Sequence, residues 1–249
     1  MEGTVLFRQF ANLIENSPAF RINGASIAES LHEFSQKIFE AGTAFEDMYR
    51  EGDMMFWVLE SRIKLILDKL NPGLLGQIFL GDYASYVSER LDEIKTQICS
   101  FEEILKTTMD SIKDAEKRRR FAEKILIKGK REAASFIGSS WKFMLMGILP
   151  FLESNSKSSP DYEEATKLLG QSEEILNMLN RTANGLHEIN RLLSSYRSSL
   201  MNVKAVVKDK TSINKEGVEK LERLLCYVKK YHAGFIKKSE QMTIDNTFY

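Results

Sequence analysis

From Ser26 to Leu70 the apolar side chains Ile27, Leu31, Phe34, Ile38, Ala41, Phe45, Met48, Met55, Leu59, Ile63, Ile66 and Leu70 recur at intervals of three and four, with one gap at Gly52. That spacing gathers them on one stripe of an α-helix, the seam of a helix packed in coiled-coil fashion. Ser26 is a suitable N-cap, and Asn71-Pro72-Gly73 ends the pattern. Some forty-five helical residues make a rod of roughly 65 Å. A rod cannot bury its own stripe, so partners must cover it.

The rest of the chain repeats the same problem. A second seam runs through Val87, Leu91, Ile94, Ile98, Phe101, Leu105 and Ile112 and continues through Ala122, Ile125, Leu126, Phe136 and Ile137. It predicts a helix from about Gln77 to Phe143, roughly 100 Å long if unbroken, with Gly129 and Gly138 as places to bend. Ser154 to Pro160 reads as a loop. A third helix follows with Ile175, Leu179, Leu186, Ile189, Leu193, Tyr196, Leu200, Val203 and Val207 inward. After a polar break at Lys208 to Lys215, a last helix turns Val218, Leu221, Leu225, Val228 and Phe235 inward. At the other end, Val5 to Ile14 forms a short amphipathic helix with Leu6, Phe10, Leu13 and Ile14 on one side, stopped by Asn16-Ser17-Pro18. It either packs on the core or lies on a membrane surface.

These patterns predict an all-α chain: an elongated antiparallel coiled coil of three long helices, one domain over 1–241 with a flexible tail over 242–249. A homodimer is expected, because the single seams need covering. Four prolines, fourteen glycines and no alternating apolar pattern leave no convincing strand.

Formal net charge is zero, which argues against a polycation built for nucleic acid. The distribution is uneven. Residues 1–60 hold ten acids and four bases, a net of −6; 113–131 hold nine bases and three acids, a net of +6; 204–238 hold ten bases and four acids, again +6. The middle run supplies candidate lipid-binding residues: Lys113, Lys117, Arg118, Arg119, Arg120, Lys124, Lys128, Lys130 and Arg131. A solvated helix face is the ordinary explanation for such a run. Concentrated in one helix, the same charges suit an anionic surface, where each contributes about 1 kcal/mol.

Beyond the run stands the apolar block Trp141-Lys-Phe-Met-Leu-Met-Gly-Ile-Leu-Pro-Phe-Leu152. Interrupted by Lys142 and Pro150, it is far short of the roughly twenty residues that cross a bilayer. Three readings stay open: core beneath a helical tip, a partner-helix or oligomer contact, or a wedge entering the headgroup region. The wedge would use Trp141, Phe143, Met144, Leu145, Ile148, Leu149 and Phe151.

Catalytic chemistry finds little support. His32, His187 and His232 stand alone without partners at metal spacing, so no metal site is expected. Gly129-Lys130-Arg131 lacks the upstream glycine and the Ser or Thr of a phosphate loop. Cys99 and Cys226 support neither a disulfide framework nor a thiol nucleophile. Asn180-Arg181-Thr182 is a sequon inside a helical pattern. No enzyme and no cofactor are expected, and without a signal peptide pattern the expectation is cytoplasmic, peripheral on membranes.

Phe10-Ala-Asn-Leu-Ile-Glu-Asn-Ser-Pro-Ala-Phe-Arg21 resembles the opening of BAR domains in the Arf GTPase-activating proteins with BAR, pleckstrin-homology and ankyrin repeats, and in GRAF-like proteins. Asn16 stands where those proteins usually carry an acid. Ala28-Glu-Ser-Leu31, Lys37-Ile-Phe-Glu-Ala-Gly42 and Met48-Tyr-Arg-Glu-Gly-Asp-Met-Met-Phe56 look like the same helix, and Ile112-Lys-Asp-Ala-Glu-Lys-Arg-Arg-Arg-Phe121 is similar to the family's basic second helix. The resemblance covers about 10–60 and 100–135. It implies a crescent-shaped antiparallel dimer that binds or shapes curved anionic membranes. Two departures stand out. The residues that follow house no pleckstrin-homology or Arf GTPase-activating domain, so that activity does not carry over. The block at 141–152 falls where the family has a polar tip.

The leading expectation is a non-enzymatic membrane-binding protein that senses or generates curvature on anionic phospholipid. One alternative is an α-helical pore-forming or membrane-disrupting effector; another is a coiled-coil scaffold for protein partners without lipid binding.

Overall fold

A computed structural model describes residues 2–70, 83–147, 160–208 and 215–244. The chain is all-α: α1 Glu2–Glu15, a short 3-10 turn at Pro18–Phe20, α2 Gly24–Leu70, α3 Tyr83–Gly147, α4 Pro160–Lys208 and α5 Lys215–Ile244. Three of these helices run 47, 65 and 49 residues, so the long seams are indeed long helices. Ser26 falls inside the first turn of α2: the carbonyl of Asn23 already accepts from the Ile27 amide at 2.9 Å. The break at Asn71-Pro72-Gly73, the loop at 154–159 and residues 245–249 of the expected tail lie outside the described residues. Met242 to Ile244 belong to α5.

The residues group into two compact units, one from Met1–Gly42 with Ser111–Glu188, the other from Thr43–Asp110 with Ile189–Thr247.

In the first unit α1 covers the opening turns of α2. Phe7, Phe10, Ala11 and Ile14, spaced one helical turn apart, are all buried with Phe20, Ile27, Leu31 and Phe34. This corrects the expected face: Leu6 and Leu13 stand 45% and 53% exposed. Proline fixes the turn that follows. Ser17 precedes Pro18 in extended backbone and its hydroxyl accepts from the Ala19 amide, so α1 cannot run on. The turn is then tied to α3. Glu132 accepts from the amides of Ile22 at 2.6 Å and Asn23 at 3.1 Å, and from the Asn23 side chain at 2.8 Å. A carboxylate at the start of α2 satisfies donors that the helix leaves open and meets the positive end of its dipole.

Within this unit α2 and α3 are antiparallel: residues ascend α2 through Ile27, Glu33 and Lys37 as their neighbours descend α3 through Gly129, Arg118 and Asp114. Gly129 was expected as a bend, yet α3 passes through it. Its missing side chain makes room for Ile27 and Phe20, both fully buried; a Cβ would press on the Ile27 terminal methyl and lie 3.0 Å from the Phe20 ring. Gly129→Ala should therefore destabilise by up to about 2 kcal/mol, because overpacking costs about 1–3 kcal/mol against a helix-propensity gain of about 1 kcal/mol. Denaturant unfolding that shows a gain instead would mean the contact is loose.

The second unit repeats the antiparallel pairing. The Thr108 hydroxyl donates to the Ala44 carbonyl at 3.1 Å, Arg62 pairs with Glu93 at 3.1 Å, and Lys69 sits 4.2 Å over the Tyr86 ring. Here α5 closes the core through Leu221, Leu224, Val228 and Phe235. Phe235 lies among Tyr49, Phe56 and Phe101, with ring centroids 4.8, 5.3 and 6.3 Å away. The gap in the α2 seam is the seat of this ring: a Cβ on Gly52 would collide with Phe235 and come within 2.8 Å of Phe101.

Candidate functional site

Nine cations read as one run are sorted by α3 into different surroundings. Arg119 turns inward on the buried seam of Ile112, Ala115, Ala122 and Leu126 and is 6% exposed. Its guanidinium donates to Glu116 at 2.7 and 3.1 Å and to Glu123 at 2.8 Å. Burial alone would lower its pKa; the hydrogen bonds and charges of the two carboxylates outweigh that, so the group is held charged. Glu116 is the mirror case, its pKa brought down by Arg119 and Arg120 against burial. Arg119 is thus a structural ion-pair centre, turned away from any surface partner. Arg118 is half-buried and pairs with Glu33 at 2.6 Å; Lys130 pairs with Glu173. Both link helices of the unit.

Six residues remain on one side. At 3.6 residues per turn, Lys113, Lys117, Arg120, Lys124, Lys128 and Arg131 fall within an arc of about 80° over about 27 Å of helix, and all six are exposed. The acids of the segment lie outside the arc: Asp114 pairs with Lys37, Glu123 with Arg119, and Glu116 with both Arg119 and the arc's own Arg120. Arg120 keeps one contact to Glu116 at 2.7 Å while 73% of its side chain is exposed. Among the described residues Lys117, Lys124, Lys128 and Arg131 form no ion pair. Like charges one turn apart, closer than a Debye length of about 8 Å, repel one another without relief.

Two apolar side chains flank the arc, Phe121 at 49% exposure on one edge and Ile127 at 37% on the other. Charge counting passes over both, although the helical period that separates Arg119 from its neighbours also places them. A flat cation stripe with apolar edges has the chemistry to meet an anionic, partly apolar surface.

The apolar block begins inside α3, which continues to Gly147. The side chains of Trp141, Phe143, Met144 and Leu145 lie outside the described residues, as do Ile148, Leu149 and Phe151 entirely. Among the described residues no helix is long and apolar enough to cross a membrane, and no cluster could hold a metal ion. Cys99 and Cys226 are free. The sequon threonine Thr182 sits inside α4, its hydroxyl donating to the Met178 carbonyl at 2.9 Å. His232 has partners that no local spacing suggests, Glu60 and Asp53.

No protein-family model matches the chain, and no curated protein does. Among solved structures, the soluble AhlC triple head mutant of the tripartite α-pore-forming toxin AHL from Aeromonas hydrophila aligns over 92% of this chain and 94% of that one, at 12% identity and a TM-score of 0.39. A likeness at that level assigns neither family nor function.

Proposed function

We propose that this chain is a non-enzymatic, peripheral membrane-binding protein that meets anionic phospholipid through the exposed face of α3. One observation carries the reading: six exposed cations lie in a single arc, and four of them, Lys117, Lys124, Lys128 and Arg131, form no ion pair among the described residues. Sorting of this kind leaves a stripe of predominantly one sign, compensated only in part, rather than the mixed charge of an ordinary solvated face. In the form implied by the BAR-domain resemblance, two copies pair antiparallel and bind or shape a curved bilayer. The long antiparallel helix pairing and the basic second helix support that form.

Sedimentation with phosphatidylserine-containing vesicles tests it. The protein should pellet at low salt, stay in solution with phosphatidylcholine alone, and be released near 1 M salt, where the Debye length shrinks to about 3 Å. Absence of pelleting at low salt would favour a protein-interaction scaffold. Release of entrapped dye on binding would favour the membrane-disrupting alternative over tubulation.

A further inference from the structure

We infer that His232, gripped between Asp53 and Glu60, is a proton-dependent latch that holds α5 onto α2. The imidazole Nδ1 lies 2.7 Å from a Glu60 carboxylate oxygen and Nε2 lies 2.8 Å from one of Asp53. Asp53, Phe56 and Glu60 are spaced one turn apart on α2, so they share a face. The His232 ring stacks on Phe56 at 5.5 Å and an interplanar angle of 21°. That stacking fixes the plane of the ring, and each carboxylate meets one ring nitrogen along its edge.

The chemistry of imidazole makes this grip depend on a proton. Protonated, the ring has two N–H donors and both carboxylates accept. Neutral, it keeps one N–H, and the second carboxylate faces a nitrogen lone pair. The bridge then loses a hydrogen bond and an attraction together, while one acid stays close to an unprotonated nitrogen.

The surroundings leave the two carboxylates in control. Asp53 and Glu60 of α2 are the charges acting on the ring, and no charge of α3 or α4 among the described residues contributes. The element α3 meets α5 here through the apolar Phe101–Phe235 contact. On α5 itself the residues one turn away are Val228, Lys229, Phe235 and Ile236; of these Lys229 alone is charged, and it is exposed. Burial works against the charged imidazole, but the hydrogen bonds and charges of Asp53 and Glu60 prevail, and its pKa is raised above the ordinary value of 6.5.

The sign of the linkage follows. A group whose folded pKa is raised adds its full stabilisation below the unfolded-chain value and loses it as pH climbs through the folded value. The latch is therefore closed in mild acid and opens with rising pH, from about 6.5 upward. Its opening weakens the docking of α5 at the point where Phe235 covers Tyr49, Phe56 and Phe101.

Hydrogen exchange across α5, corrected for intrinsic rates, reads this directly. In the wild type, protection of 215–244 should fall by about tenfold per pH unit between the unfolded and folded pKa of the imidazole, the slope set by one proton. His232→Gln should abolish the slope. The ring proton resonances of His232 should titrate with a midpoint above 6.5, and Asp53→Asn, at a side chain 60% exposed and thus free of core damage, should move that midpoint down. A flat wild-type profile would overturn the latch, as would an unchanged slope in His232→Gln. Vesicle pelleting is a separate readout of α3 and does not bear on this one.

Discussion

Phe235→Ala should lower unfolding free energy by about 3–5 kcal/mol, the range for emptying a buried phenylalanine site. The ring is 1% exposed and sits in a socket shaped for it by Gly52. Three aromatic neighbours surround it, and each such pair adds about 0.5–1.5 kcal/mol beyond area burial. Phe56 and Phe101 have little freedom to collapse into the space, since both are buried, Phe56 stacked on His232 and Phe101 set against Gly52 of α2. Chemical denaturation would measure the total, and exchange of α5 amides would locate the loss. A change below about 1 kcal/mol, or a loss spread evenly over the chain, would show that α5 is not docked through this ring.

Reversing Lys117, Lys124 and Arg131 to glutamate should remove vesicle binding. The substitutions take the arc from six cations to three cations and three acids, a change from +6 to 0. At about 1 kcal/mol per charge near an anionic leaflet, the six-charge change amounts to about 6 kcal/mol, roughly 10⁴-fold in partitioning. The fold should persist: the positions are exposed, carry no ion pair among the described residues, and glutamate matches lysine and arginine in helix propensity. Reversal at Arg118 and Arg119 is a poorer test. It would break the Glu33 bridge and leave Glu116 and Glu123 without their buried cation, so lost binding could follow from lost structure. Retained pelleting in the surface triple variant, with an unchanged helical spectrum, would remove α3 as the contact.

Much of this architecture is legible in spacing alone, because a helix seam repeats every three or four residues whatever lies across it. Leu31, Phe34, Met48, Leu59, Ile63 and Ile66 are buried as their periodicity predicts. Short α1 is harder. Phe10 and Ile14 belong to either of two overlapping stripes, and the choice between Leu6 with Leu13 and Phe7 with Ala11 is made by the shape of the α2 surface. Glycines mislead for a related reason: Gly52 reads as a gap in the seam and Gly129 as a place to bend, whereas each is an empty position filled by a side chain from elsewhere. The basic run shows how far pattern goes. Its composition suggests an anionic partner, and helical period alone separates inward Arg119 from outward Lys117 and Lys124. The pairings of Arg118 and Lys130 depend on the partner helix, 85 and 43 residues away. His232 looked solitary since Glu60 and Asp53 are 172 and 179 positions distant.

The carboxylate of Glu132 delays the securing of the N-terminal turn until much of the chain has been made. It fixes the turn at Ile22 and Asn23 from 110 and 109 residues downstream. At a translation rate of about 5–20 residues per second, the turn leaves the ribosome roughly 5–20 s before the residue that secures it. During that interval α1 and the first turns of α2 can form local helix, but Phe10, Phe20, Ile27 and Leu31 have no α3 to cover them. The nascent chain therefore passes through a stage with its N-terminal apolar face open; α3 begins to cover it with Ala122, Leu126 and Ala133, and α4 completes the cover with Ala165, Leu168, Ile175 and Leu179.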